Sequence, residues 1–523
     1  MIKTRNILVA LCFISYLVGC SNQTASKPIV PIEEKKIKNF KISNTFTENI
    51  RTCYSIFPIS FSDSNNDGYG DLKGIEQKLD YLKDLGVQCI YLNPIHPSPS
   101  YHKYDVLDYY AIDPKFGTMQ DFDELLKSAK DKNIKIIMDM VFNHTSIQHP
   151  WFKKAIKDEA KYKDYYIFND GKDKAFPLKG PWYRAGKQYY HAYFWEGMPD
   201  LNLDNENVRN EIDKISNYWL DKGVDGFRLD AAAMGFESSE YKRGTNVLGK
   251  NINFWKEYTS NVKRGNPDAF VIAELWKPVY DQKRYYESYD SMFNFEGADQ
   301  IIHAVKTGTA FDFYSFFSKE IEGKKLKDGQ RFIDSIFISN HDQNRVASQL
   351  NGNIDQTKLA ASILLTMPGL AYIYYGEELG MLGQKPDEQI REPFKWNYNL
   401  TDGTTKWEPI RLNKDLKSQE EQSKDPNSMF NHYKKLISIR NNNEAFDIFS
   451  NFIDGPYNIG SSLSYIRESA NQKILVIHNI EAEPIKLDLK ETVKRNLFMN
   501  NASIHHSKVI INGYGTIILE IQK

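Results

Sequence analysis

The chain has 523 residues, more than one compact core holds, so two or three domains are expected. It is 41% hydrophobic and 26% charged, with a formal net charge of −1, an ordinary globular composition that excludes an electrostatic partnership with nucleic acid or another polyanion. Aromatic residues reach 13%; flat rings suit sugars, but the count by itself is core material.

Residues 1–20 read as a leader. Lys3 and Arg5 form a positive start, and Ile7 to Val18 is an apolar run too short to span a bilayer comfortably. It closes Leu17-Val18-Gly19-Cys20, which resembles the bacterial lipoprotein signal, cut before a cysteine that is then lipidated. That likeness implies an exported protein anchored through Cys20 and facing the periplasm or the cell exterior. A plain signal peptide cut nearby is the alternative. Residues 21–45, polar with prolines, read as a tether.

From Thr52 onward, strands and helices alternate. Strands are expected at Thr52–Ser60, Val87–Leu92, Ile134–Val141, Val224–Leu229, Ala269–Ala273, Ser288–Phe293, Ser335–Ser339 and Leu370–Tyr375. Helices fall between them, as at Gly74–Leu85, Phe122–Lys132 and Val208–Lys222. The pattern predicts an α/β fold, a (β/α)8 TIM barrel over 46–144 and 201–443. Residues 145–200, aromatic-rich and too long for a barrel loop, are expected to form an inserted subdomain after strand 3. Residues 444–523 have short alternating segments and turn residues, and are expected to form a C-terminal all-β domain of sandwich type. Cys53 and Cys89 each sit in an apolar strand. A disulfide between them is possible on neighbouring strands, but buried thiols are the expectation.

Polar motifs fall at the C-terminal ends of these strands, where such barrels carry their sites. In Gly226-Phe227-Arg228-Leu229-Asp230, Arg228 and Asp230 share one face, and the arginine is expected to favour the ionised form of a half-dry Asp230. Glu274 follows the fifth strand between apolar neighbours; burial of that kind raises a carboxyl pKa and suits a general acid. Asn340-His341-Asp342 follows the seventh strand and Asn143-His144 the third. Singly these are turns or caps. Together, Asp230, Glu274 and Asp342 crowd three acids into one cleft. Separately, Asp63, Asn65, Asp67 and Asp71 put oxygen at every second position, with Gly68 for the turn, like the start of a calcium loop in which Tyr69 gives its backbone carbonyl. A solvated acidic turn is the plain reading. The twelfth position is Gly74, which excludes a complete EF-hand.

DMVFNH, GFRLDAAA, VIAELW and FISNHDQNR, in this order, resemble the four signature regions of the α-amylase family, glycoside hydrolase family 13, over roughly Asn49 to the C-terminus. The resemblance implies a retaining hydrolase with Asp230 as nucleophile, Glu274 as acid and base, and Asp342 as stabiliser of the transition state. It implies that Arg228 orients Asp230, that His144 and His341 bond the sugar being cleaved, that Tyr104 stacks on it beside His102, and that Arg345 flanks the same subsite. It also implies a calcium ion on the Asp63 loop; many members hold a second through Asn143. Met198-Pro199-Asp200-Leu201-Asn202 resembles members intermediate between oligo-1,6-glucosidases and neopullulanases, and the small Ala231 resembles enzymes that cleave α-1,4 bonds. The expected substrate is starch, glycogen or maltooligosaccharide, and the expected state is a monomer. Where the family often has Lys-His, this chain has Ala233-Met234, which leaves the leaving-side subsites open. A neopullulanase, an oligo-1,6-glucosidase, a glucanotransferase or an inactive carbohydrate-binding protein are the alternatives.

Overall fold

The computed structural model describes residues 46–172, 180–242, 244–323 and 331–523; Cys20 and the expected leader and tether lie outside them. Eight parallel strands close a barrel: β1 (Thr52–Ile56), β2 (Cys89–Leu92), β3 (Lys135–Met140), β4 (Gly226–Leu229), β5 (Phe270–Ala273), β6 (Ser291–Phe293), β7 (Ile333–Ile336) and β8 (Leu370–Tyr374). Each pairs with the next in the chain, and β8 returns to β1. Strands covered on both faces need no polar alternation, which is why they read as continuous apolar runs. The expected first strand is shorter than its apolar run: after Ile56 the chain turns into a short helix, Pro58–Phe61.

The helix before β4, Glu206–Lys222, shows how the sequence aims the site. Asn205 caps it by accepting from the Asn207 N–H, and Gly223 ends it at φ 104, a left-handed conformation open to glycine. Its buried face is Val208, Ile212, Ile215 and Trp219, at helical spacing. Trp219 is fully buried and its Nε1 donates to the Tyr109 carbonyl at 2.8 Å. Truncating it to alanine would cost about 3–5 kcal/mol. The chain then re-enters the barrel at Gly226, where a Cβ would collide with the Phe270 carbonyl of β5. A glycine there lets β4 and β5 approach closely enough to bring Arg228 beside Glu274.

Cys53 and Cys89 are disulfide-bonded, a correction to the expected free thiols. They face each other in the β1–β2 register, with Cα atoms 4.5 Å apart. A bond of this kind is at home in an oxidising compartment.

The insertion carries the helix Pro150–Ala155 and a three-stranded antiparallel sheet with Gln188–His191 between Phe168–Asn169 and Trp182–Ala185. It rejoins the barrel through a bridge pairing His144 with Asp200. The C-terminal region is a six-stranded antiparallel sheet from Asn451–Asp454 to Lys508–Ile521. Leu463, Tyr465, Ile474, Val476 and Ile518 join the barrel's core, while Ile466, Leu475, Ile477, Ile517 and Leu519 form a second core on the opposite face. The period of two places alternate residues in the two cores. No helix of the described residues is long and apolar enough to cross a membrane.

Candidate active site

Arg228 organises the cleft. It is 1% exposed and lies opposite Asp139 in the β3–β4 register. Its Nη1 donates to both Asp139 oxygens, at 2.7 and 2.9 Å, and to Asp230 Oδ1 at 2.8 Å. Its Nη2 lies 3.0 Å from Glu274 Oε2. One guanidinium therefore holds Asp230 and Glu274 side by side. Retaining glycosidases carry their two carboxyls close together, about 5–5.5 Å apart, whereas inverting ones leave room for a water.

Ala231, next after Asp230, has φ 47, an uncommon conformation for a residue with a Cβ. The turn aims its N–H at Glu274 Oε2, 3.0 Å away. Glu274 therefore meets a guanidinium and a backbone donor rather than the apolar pocket suggested by its chain neighbours. Burial pushes the Asp230 carboxyl well above the usual carboxylate range; Arg228 is the strongest opposing influence, and Glu274, Asp139 and Asp342 add to the rise. Arg228 does favour the ionised form, as expected, but burial is the larger influence.

Asp342 behaves in the opposite way. Burial pushes it up, but His341, Arg391 and Arg228 more than offset that and hold it well below the usual range. Its Oδ2 lies 3.0 Å from His341 Nε2, and its Oδ1 accepts from Arg391 Nη2 at 2.9 Å. His341 Nε2 also lies 2.6 Å from the Tyr104 hydroxyl, and the two rings are stacked with centroids 5.6 Å apart. Tyr104 donates to Asp139 Oδ2 at 2.9 Å, and Tyr91 donates to the same oxygen at 2.6 Å. His102 stands beside Tyr104, its Nδ1 accepting from the Tyr104 N–H at 3.2 Å. His144 is buried, with Nε2 3.1 Å from the Tyr104 carbonyl oxygen and Nδ1 3.2 Å from Asn143 Nδ2. Burial lowers its pKa, so it stays neutral.

Arg345 stands at the start of the helix Val346–Gln349. It is buried, donates from Nε to the Ile390 carbonyl at 2.8 Å and from Nη1 to the Tyr375 carbonyl at 2.6 Å, and lies over the rings of Tyr374 and Tyr375. It braces the segments after β7 and β8. The arginine that touches the third acid is Arg391, which also donates to the Tyr101 hydroxyl at 3.0 Å and to the His341 carbonyl at 2.9 Å. Asp139 was visible inside the DMVFNH motif, but only the fold gives Asp139 and Arg391 their roles.

Around these acids lie flat apolar faces. Tyr101 stacks on Trp407 at 4.9 Å, Trp276, 55% exposed, stacks on Phe295 at 4.6 Å, and Phe194, 47% exposed, meets the His144 ring edge-on.

The expected calcium loop is a run of side-chain-to-backbone turns. Asp63 Oδ1, Asn65 Oδ1 and Asp67 Oδ1 each accept from the N–H two residues on, at 3.1, 2.9 and 2.9 Å. Gly68, at φ 96, allows the loop to curl so that its N–H reaches Asp63 Oδ2 at 2.8 Å. Asp71 Oδ2 accepts from Ser64, and its Oδ1 caps the helix Leu72–Gln77. The repeat turns the Asp63, Asn65 and Asp67 side chains back along the loop, and every donor in the set is oxygen, the chemistry of a hard cation.

Two carboxyls held side by side by one guanidinium at the end of a parallel barrel, with a third acid nearby, suit the site of a glycoside hydrolase. Comparison with known proteins supports this. Residues 55–448 match the family described as alpha amylase, catalytic domain, and residues 463–518 match the alpha-amylase SusG C-terminal domain. The chain is 42% identical to alpha-amylase 3 of Dictyoglomus thermophilum over 477 residues, covering 90% of this chain and 92% of that one. It is 33% identical to a 4-alpha-glucanotransferase of Thermotoga maritima, covering 75% and 88%. It superposes on the crystal structure of an alpha-amylase from H. orenii with a TM-score of 0.81 at 38% identity, covering 91% of this chain and all of the other. The chain belongs to the α-amylase family, glycoside hydrolase family 13.

Proposed function

We propose that this enzyme hydrolyses α-1,4-glucosidic bonds of starch, glycogen or maltooligosaccharides with retention of configuration. The observation that carries the reading is the Arg228 guanidinium shared between Asp230 and Glu274. Asp230 attacks the anomeric carbon, and Glu274 protonates the leaving oxygen and then deprotonates the incoming water. Asp342, ionised and gripped by His341 and Arg391, faces the developing positive charge. Tyr104 supplies the apolar face under the ring, and His144 positions Tyr104 through its carbonyl.

A glucanotransferase is the second reading, favoured by the Thermotoga maritima relative and by Ala233-Met234 on the leaving side. Chromatography of products from maltoheptaose and pullulan separates the two. Short products early, with little attack on pullulan, support hydrolysis of α-1,4 bonds. Products longer than maltoheptaose show transfer, panose from pullulan shows a neopullulanase, and no cleavage of either refutes catalysis.

The Asp63 loop fits a calcium ion held by Asp63, Asn65, Asp67, Asp71 and the Tyr69 carbonyl. Such an ion would brace the segment that runs from β1 into the helix after it. Chelation should then lower Tm reversibly, with calcium restoring it. We also propose that the protein is a monomer, exported and anchored through a lipid on Cys20. The terminal Leu-Val-Gly-Cys pattern and the Cys53–Cys89 disulfide support export.

A further inference from the structure

Lys103 stands between two residues of the site and turns away from both. The chain from β2 to the helix Met119–Asp131 has neither helix nor strand, so side chains must set its course. This segment brings Tyr101 to Arg391 at 3.0 Å, and Tyr104 to His341 at 2.6 Å and to Asp139 at 2.9 Å. The rings of His102 and Tyr104 lie side by side, with centroids 6.0 Å apart. Lys103, between them, has φ 68, a left-handed conformation that a lysine adopts only where its surroundings hold it there.

The side chain of Lys103 supplies that hold. The residue is 4% exposed; its Nζ lies 2.7 Å from Asp113 Oδ2 and donates to the Ser98 carbonyl at 3.2 Å. The ammonium also lies 5.7 Å from the centre of the Phe116 ring. Asp113 sits at the base of the loop, where its N–H donates to the Ile95 carbonyl at 2.8 Å and its Oδ1 accepts from the Lys115 N–H at 2.9 Å. The ion pair therefore joins the tip of the loop to its base. A buried pair of this kind contributes little net stability beyond what apolar residues of its volume would give, so stability alone does not account for it.

We propose that, given the glucan-hydrolase reading on which this rests, Lys103 is a positioning residue: its ion pair with Asp113 holds the loop in the course that sets His102 and Tyr104 at the cleft. Tyr104 carries the effect inward. It bonds Asp139, which Arg228 grips, and His341, which faces Asp342, so a shift of Tyr104 reaches both sides of the catalytic acids. A misplacement of about 1 Å in such a network costs about 100-fold in rate.

The test compares Lys103→Met, Lys103→Gly and the double variant Lys103→Met/Asp113→Asn, each in the full chain, on maltoheptaose. Lys103→Met leaves Asp113 buried without its partner and should lower both Tm and kcat. The double variant removes both charges and keeps the acceptor for the Lys115 N–H, so Tm should recover much of the loss. Its kcat should stay about 10–100-fold below wild type, with KM changed less than about threefold. Lys103→Gly takes the left-handed conformation freely but has no side chain to anchor, and should show the same loss of kcat. If Lys103→Met does not fold, the other two variants decide. The proposal is overturned if kcat returns with Tm in the double variant, if Lys103→Gly keeps wild-type kcat, or if KM rises while kcat holds. A wild-type chain that leaves maltoheptaose intact would fail the hydrolase reading instead; maltoheptaose affinity by calorimetry then reads the same variants, and affinities equal to wild type overturn the positioning role.

Discussion

Replacing Arg228 with lysine keeps the charge and removes the fork. Arg228 reaches Asp230 at 2.8 Å through Nη1 and Glu274 at 3.0 Å through Nη2, and no single ammonium on a flexible stem reproduces both together with the Asp139 pair. Each charge-assisted hydrogen bond contributes about 1.5–3 kcal/mol. Loss of alignment at both acids therefore raises the barrier by about 3–6 kcal/mol, a fall in kcat of roughly 10²–10⁴-fold. KM should move much less, because Arg228 is buried beneath the acids. The pH profile supplies a second readout. Arg228 opposes the upward push on Asp230, so weakening that contact raises Asp230 further. The ionised fraction at a given pH then falls, and the acid limb of kcat/KM moves to higher pH. The assay is hydrolysis of a chromogenic maltooligosaccharide across the acid and neutral range, with circular dichroism to confirm folding. A folded variant within about tenfold of wild-type kcat and with an unmoved acid limb would refute the reasoning.

Further outcomes follow from the same geometry. Glu274→Gln should stall turnover of natural glucans, while azide restores it on a substrate with an activated leaving group; no rescue would remove Glu274 from acid–base duty. Arg391→Ala should lower kcat through Asp342, whereas Arg345→Ala should mainly lower stability, by about 3 kcal/mol for two buried bonds to carbonyls; the reverse pattern would restore Arg345 to the sugar. The two displaced acids predict opposite thermal behaviour. Asp342 is depressed, so it stabilises the fold above its unfolded pKa of about 3.9 and loses that contribution as pH falls; Asp342→Asn should therefore cost more Tm at neutral than at acid pH. Asp230 is raised, so its charge opposes folding at neutral pH; Asp230→Asn should raise Tm there, with the gain shrinking toward acid, and equal effects at both pH values would contradict the assignment. Cys20→Ser should release the protein from membranes, as fractionation would show.

The barrel was legible because each strand is an apolar run closed by a polar motif. The side-chain environments were less so. Ala273 and Leu275 flank Glu274 in the chain, but neighbours along a strand point to the opposite face, so they say little about its surroundings. What surrounds it comes from the adjoining strand, through Arg228 and Ala231. The same limit hid the disulfide. Cys53 and Cys89 face each other only in the register β1 and β2 adopt, and a slip of one residue would have put the thiols on opposite faces. Arg345 was named because it matches an arginine of the family's signature regions; as the N-cap residue of the helix Val346–Gln349 it is buried, which the sequence does not show. Arg391, far along the chain, returns to the acid instead.

The claim at the centre of this account is that Asp230 forms the covalent bond to sugar. A fluorinated α-glucosyl fluoride that forms the glycosyl-enzyme quickly and releases it slowly, followed by peptide mass spectrometry, tests it directly. The account predicts one sugar per chain, on the peptide carrying Asp230, and none in Asp230→Asn. An adduct on Glu274 or Asp342, or no adduct together with a product of inverted configuration, would contradict it.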